Sequence, residues 1–145
     1  MTQEPDFLTR ASLYFAAGGI GGAANSFAAW FFGVTGVNTL LGISLTPAFT
    51  PGWLYLRVVW GGIWGLLFLL PLFRLQPLYI RATFLSLIPC AVQLLIVFPL
   101  KLKKGYWGLE LGTMTPLLIL ALNLVWGYTT ALWLALTVQR KPVLG

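Results

Sequence analysis

Among the polar side chains that interrupt the long apolar stretches of this 145-residue chain, Arg57, Asn25, Gln93, Asn123 and Thr130 have the types and spacing to do chemistry. A guanidinium offers five N–H donors and keeps its charge, whereas a carboxamide both donates and accepts. Such a set can hold an anion or hydrogen-bond a small neutral solute. It cannot relay protons, because the chain has no His and its three acids, Glu4, Asp6 and Glu110, fall outside the apolar stretches. The same inventory excludes a His-ligated haem, a Cys/His zinc site, a Ser-His-Asp triad and a carboxylate dyad. Cys90 is the one cysteine, so no intrachain disulfide forms, and it reads as a small apolar residue beside Pro89. No metal or cofactor is expected, and a catalytic role is not. An enzyme acting on lipid would have to draw its acid–base groups from Glu110, Lys or Tyr at the membrane surface.

The elements that must position these groups follow from composition. Hydrophobic residues make up 59% of the chain and charged residues 8%, with mean hydropathy +0.87. A soluble domain carries about 25% charged residues, so the solvent read from this sequence is lipid. A membrane helix needs roughly 20 apolar residues, and four are expected at about residues 11–32, 53–73, 79–100 and 114–138. The expected fold is all-α: one transmembrane domain over residues 1–145, a polytopic bundle of four helices. Between the first two lies residues 33–52, uncharged and broken by Pro47 and Pro51, read as a short interfacial or re-entrant segment. Pro89 should kink the third helix. The first ten residues lack the basic character of a signal-peptide start. The net charge of +6 is distributed beside apolar stretches, which points to membrane lipids with anionic headgroups, Lys101, Lys103 and Lys104 above all, and away from nucleic acid. Arg10, Arg74, Arg81, Arg140 and Lys141 fall on the side of the termini, and Arg57 and the three lysines on the other. The positive-inside rule is therefore almost balanced. The uncharged 33–52 connection favours both termini on the cytoplasmic side, while the lysine cluster argues the reverse.

Two helices carry small residues at spacing four. Gly18, Gly22 and Ser26 form one stripe; Gly61 and Gly65 form another, with Arg57 one turn before Gly61; Gly127 adds a small residue to the fourth helix. Such faces let helix backbones approach closely in lipid. A phosphate-cradling glycine loop is not the reading, since the P-loop Lys-Ser/Thr and a preceding strand are missing. Arg57 lies about four residues inside its span, roughly 6 Å at 1.5 Å per residue. It can snorkel to the interface or serve as an anion or headgroup site. The third helix bears Thr83, Ser86, Cys90 and Gln93 on one stripe and the fourth bears Asn123, Gly127 and Thr130, with Asn25 on the first. These groups either lock the bundle by interhelical hydrogen bonds or line a narrow path with Arg57 at its mouth. Most of the aromatic belt falls near helix ends; Trp60, Trp64 and Trp126 fall deeper, against the glycine faces, a partner subunit or a pigment.

The Gly/Ala-rich first helix running into a Trp (GGIGGAANSFAAW), spaced small residues on the second, VQLLIVFPL at the end of the third and a VWG stretch in the last together resemble the YagU-like small inner-membrane proteins of bacteria. That resemblance touches all four spans and implies an address and a topology, with no activity to carry over. The expected function is a non-catalytic structural or accessory membrane subunit, assembling through its Gly/Ala faces into a homo-oligomer or a larger complex. The alternative is a channel or transporter for a small solute or anion.

Overall fold

A computed structural model of the chain describes residues 4–138, and helix is the only regular structure among them. In chain order these are α1 (Phe7–Val34), the single turn α2 (Val37–Leu40) and α3 (Pro51–Gly65), which continues as a 3₁₀ turn (Leu66–Leu69). Next comes α4 (Leu78–Val92), continued by a π-helix (Gln93–Lys101), then a 3₁₀ stretch (Tyr106–Leu111) and α5 (Thr115–Thr137). Three helices, Pro51–Leu69, Leu78–Lys101 and Thr115–Thr137, are long and apolar enough to cross a membrane. The fourth long helix, α1, has 28 residues, but its glycines, serines and asparagine keep it less apolar than those three. Arg140 and Lys141 lie outside the described residues.

Local chemistry sets the helix ends, and several differ from the sequence expectation. α1 begins at Phe7 rather than near residue 11, because the Asp6 side chain accepts the Thr9 amide at 3.0 Å and caps the first turn. Thr50 caps α3 through the Trp53 amide, with Pro51 in the first turn where its missing N–H costs nothing. That helix stops at Leu69, short of residue 73: Pro71 disfavours helical geometry at the residue before it, and Leu70 is extended, with ψ 148°. Pro89 sits inside α4 without ending it, and helical geometry instead widens to the π form from Gln93 onwards. Pro99, inside that π segment, has no amide hydrogen and a ring that crowds the carbonyl four residues earlier, which the wider turn relieves.

The long helices lie side by side in the order α3, α1, α5, α4: α1 packs on both α3 and α5, and α5 packs on α4. Of the three helices long and apolar enough to cross a membrane, α5 is the most enclosed, about 50% buried against 22% for the α3 segment. Two apolar clusters fill the inside. One, nearest the termini, gathers Ala17, Phe68, Leu85, Trp126 and Leu134; the other, nearest the α1–α3 and α4–α5 connections, gathers Ala29, Ile43, Leu94, Phe98 and Ile119. Outward-facing Leu56, Ile63, Phe84, Ile96 and Leu132 are exposed, an apolar exterior suited to lipid.

Residues 33–52 pack as a cap over that second cluster. Ile43 is buried within it, Asn38 is fully buried and donates to the Leu45 carbonyl at 2.6 Å, and the Ser44 amide donates to the Leu111 carbonyl of the α4–α5 connection at 2.7 Å. Both connections therefore meet at one end of the molecule. At Gly108, with φ +67°, a side chain would be strained and would also strike the Phe98 ring, so the tight reversal into α5 requires glycine.

Candidate functional site

Between the two apolar clusters, each long helix contributes a polar group: Asn25 from α1, Arg57 from α3, Gln93 at the end of α4 and Asn123 from α5. Arg57 lies six residues into α3 and Asn123 eight into α5, roughly 9 and 12 Å from the connection-side ends at 1.5 Å per residue.

The register of α1 against α3 brings Arg57 and Asn25 together. A methyl group added to Gly18 would overlap the Gly61 carbonyl oxygen and lie 2.6 Å from Gly65 Cα; one on Gly22 would lie 2.6 Å from the Arg57 carbonyl oxygen. The two glycine stripes thus touch backbone to backbone in antiparallel register, Gly18 at Gly65 and Gly22 at Gly61. One turn further along, Ser26 meets Arg57. Arg57 Nε donates to Ser26 Oγ at 2.9 Å, Arg57 Nη2 donates to Asn25 Oδ1, and the guanidinium carbon sits 4.8 Å from the centre of the Trp53 ring. Ser26 Oγ in turn donates to the Gly22 carbonyl at 2.7 Å, and Asn25 Nδ2 donates to the Leu122 carbonyl of α5 at 2.6 Å. Arg57 therefore reaches across to α1 with its guanidinium over Trp53, one turn nearer the connection-side end of its own helix. The bonds engage Nε and one N–H of Nη2; its other N–H groups have no hydrogen-bond partner among the described residues.

On the other side, Asn123 Nδ2 donates to the Ile119 carbonyl at 2.9 Å and to Gln93 Oε1 at 3.4 Å. The rest of the α4 polar stripe also faces α5: Thr83 Oγ1 and Tyr128 OH are 2.7 Å apart, and Ser86 fits against Gly127, where any side chain would collide with it. Thr130 lies away from this layer, fully buried, bonded to the Trp126 carbonyl and packed on Gly21.

α3 and α4 have no packed interface along their lengths. They are joined at the terminal side, where the Leu66–Leu69 turn reaches α4 and Arg81 donates to the Phe68, Leu70 and Leu72 carbonyls. Beyond that junction a cavity of about 480 Å³ lies between them. Arg57, Trp60 and Trp64 form its α3 wall; Val92, Gln93 and Lys101 form the opposite one; Asn25 and Asn123 lie at its floor. No acid among the described residues lines it. Lys103 and Lys104 are elsewhere: both are exposed, and Lys104 borders a separate depression of about 380 Å³ with Glu110, between the two connections.

Sequence reasoning treated Ser26 as a packing residue and left open what Trp126 touches. Ser26 is also the acceptor for Arg57. Trp126, 3% exposed, donates its indole N–H to the carbonyls of both Gly18 (3.2 Å) and Gly61 (3.3 Å), tying α5 to the α1–α3 crossing. The signal for Ser26 was present in the two stripes: laid antiparallel with glycine on glycine, they leave a serine opposite an arginine. The glycine stripes are covered within the chain itself, so they present no free face to a second copy. Comparison of the chain with protein-family models, with curated proteins and with solved structures finds no match.

Proposed function

We propose that this chain is a non-catalytic, multi-pass protein of the bacterial inner membrane that holds an anionic group in the cleft between α3 and α4. In this reading α1 is the fourth span and both termini are cytoplasmic; a reporter or cysteine label at either end tests that orientation. The observation that carries the functional reading is Arg57, held from one edge by Ser26 and Asn25, without an acidic partner, on the wall of a cavity free of acids. A guanidinium away from bulk water is costly unless its charge is met, and an anion meets it. The small-residue faces are buried inside the chain and so lend no support to assembly of a larger complex through them.

The test uses the purified protein in a neutral detergent, with Trp emission as the reporter because Trp53 stacks on Arg57. Dodecyl phosphate or inorganic phosphate should shift the emission in a saturable manner, and Arg57→Gln should abolish the shift while the protein retains its helical circular dichroism. If neither anion shifts the wild type, the reading fails. Conduction of a soluble solute is the second function to check. Asn25 and Asn123 are bonded to backbone carbonyls and Gln93, so their amides are engaged within the protein instead of being left to line a path. Liposomes containing the protein are therefore expected to be no leakier than empty ones.

A further inference from the structure

Resting on that reading, we infer that the anionic group is the phosphate of a membrane phospholipid, which enters the cleft sideways between α3 and α4 with its acyl chains still in the bilayer. The shape of the cleft carries the argument. Because α3 and α4 share no packed interface along their lengths and meet where the Leu66–Leu69 turn reaches α4, helix packing does not seal the flank of the cleft, and Leu56 and Trp60 in its lining are more than half exposed. The cations are graded along the cleft. Lys101, exposed, stands at the connection-side mouth, and Arg57 lies roughly 9 Å within α3 at 1.5 Å per residue. Towards the middle of the bundle the walls become apolar: Trp60 and Trp64, ring centres 6.4 Å apart, face Pro89 and Val92 across the gap.

A phospholipid of the connection-side leaflet presents the same sequence of chemistry, a phosphate at the surface followed by chains towards the midplane. Its phosphate can accept the N–H groups of Arg57 left free by Ser26 and Asn25, with the Lys101 ammonium adding a second positive charge. A soluble anion would use Arg57 but have no use for the aromatic wall or the lateral opening. The lateral gap and the two-cation gradient therefore favour the lipid over free phosphate.

The test is mass spectrometry of the intact protein. Wild type, purified in neutral detergent, is mixed with phosphatidylglycerol, with diacylglycerol of the same chains, or with millimolar glycerol 3-phosphate. Phosphatidylglycerol should be retained about tenfold or more over diacylglycerol, as expected for loss of charge-assisted hydrogen bonds to a phosphate. Glycerol 3-phosphate should neither be retained nor displace the lipid. Arg57→Gln should lower retention by a similar factor, and Lys101→Gln should lower it by a smaller one. Val92→Trp fills the cleft from the α4 side and leaves the Arg57 contacts in place; it too should lose the lipid, and it decides the matter if Arg57→Gln does not fold. Retention equal to wild type in a folded Arg57→Gln or Val92→Trp protein overturns the inference. Retention of glycerol 3-phosphate in place of the lipid also overturns it but leaves the anion site standing, whereas retention of neither removes both.

Discussion

The two flanks of α3 are built in opposite ways. Towards α1 it offers Gly61 and Gly65 to Gly18 and Gly22, and the backbones come so close that no side chain fits between them. Towards α4 it offers Trp60, Trp64 and Arg57, and the space stays open. In lipid there is little hydrophobic gain from bringing two apolar helices together, so association depends on packing and polar contacts. Smooth faces supply the packing, whereas large aromatic side chains without complementary partners on α4 do not. The closed flank also stiffens the open one: with α1 and α3 locked in register, Ser26 and Asn25 hold Arg57 on the cleft wall without α4 contributing anything.

The contrast can be broken most severely at Gly18. Gly18→Leu must force α1 from α3, because the atoms it meets are backbone on both sides. Overpacking typically costs about 1–3 kcal/mol and more where nothing can yield, so we expect a loss at or above the top of that range, read as a large fall in melting temperature in detergent. A wild-type melting temperature would mean that the helices are not in contact there. Next in size is Trp126→Phe, which removes the indole donor to the Gly18 and Gly61 carbonyls but keeps the ring against Phe68. The expected cost is about 1 kcal/mol, with α5 loosened from the crossing and faster hydrogen exchange in the middle of α1.

On the open flank, Val92→Phe puts extra volume where the closed flank has none to spare, and stability should move by no more than about 0.5 kcal/mol. A cost approaching that of Gly18→Leu would show that α3 and α4 close on each other. Acid should touch neither flank, since no acid among the described residues lies in the glycine crossing or the cleft. The Asp6 carboxylate, fully exposed, accepts hydrogen bonds from Thr9, which hold its pKa below the ordinary 3.8. Its support for the first turn of α1 is complete above that ordinary value and disappears as pH falls through the lower, folded one. Protection of the Thr9 amide, relative to its intrinsic exchange rate at each pH, should therefore fall only below about pH 4, with the melting temperature of the helices hardly changed between pH 7 and pH 5.

Helix positions were largely legible in the sequence because each apolar run is long and ends at Pro, Gly or a charge. The misplaced ends have local causes: a side-chain cap at Asp6 added a turn to α1, and Pro71 acting on Leu70 removed one from the second span. The π-helical stretch after Gln93 was not legible, since periodicity read at 3.6 residues per turn does not register a change to the wider turn. Of the candidate polar residues, Asn25, Arg57, Gln93 and Asn123 come to one layer, while Thr130 turns towards Gly21. Spacing along a helix names a stripe, and the neighbour that covers the stripe decides which part of it meets the cleft.

By itself, then, the sequence determined an apolar helical chain whose few polar groups are amides, hydroxyls and one deep arginine, because composition fixes the solvent and periodicity fixes the faces. Only the tertiary structure decided that the glycine faces meet each other within one chain and that α3 and α4 stay apart. The reason is that both outcomes depend on shape complementarity between residues dozens of positions apart. Small residues can close on any equally smooth surface, and the antiparallel register in which Gly18 meets Gly65 and Gly22 meets Gly61 is what sets Arg57 on the wall of an open cleft.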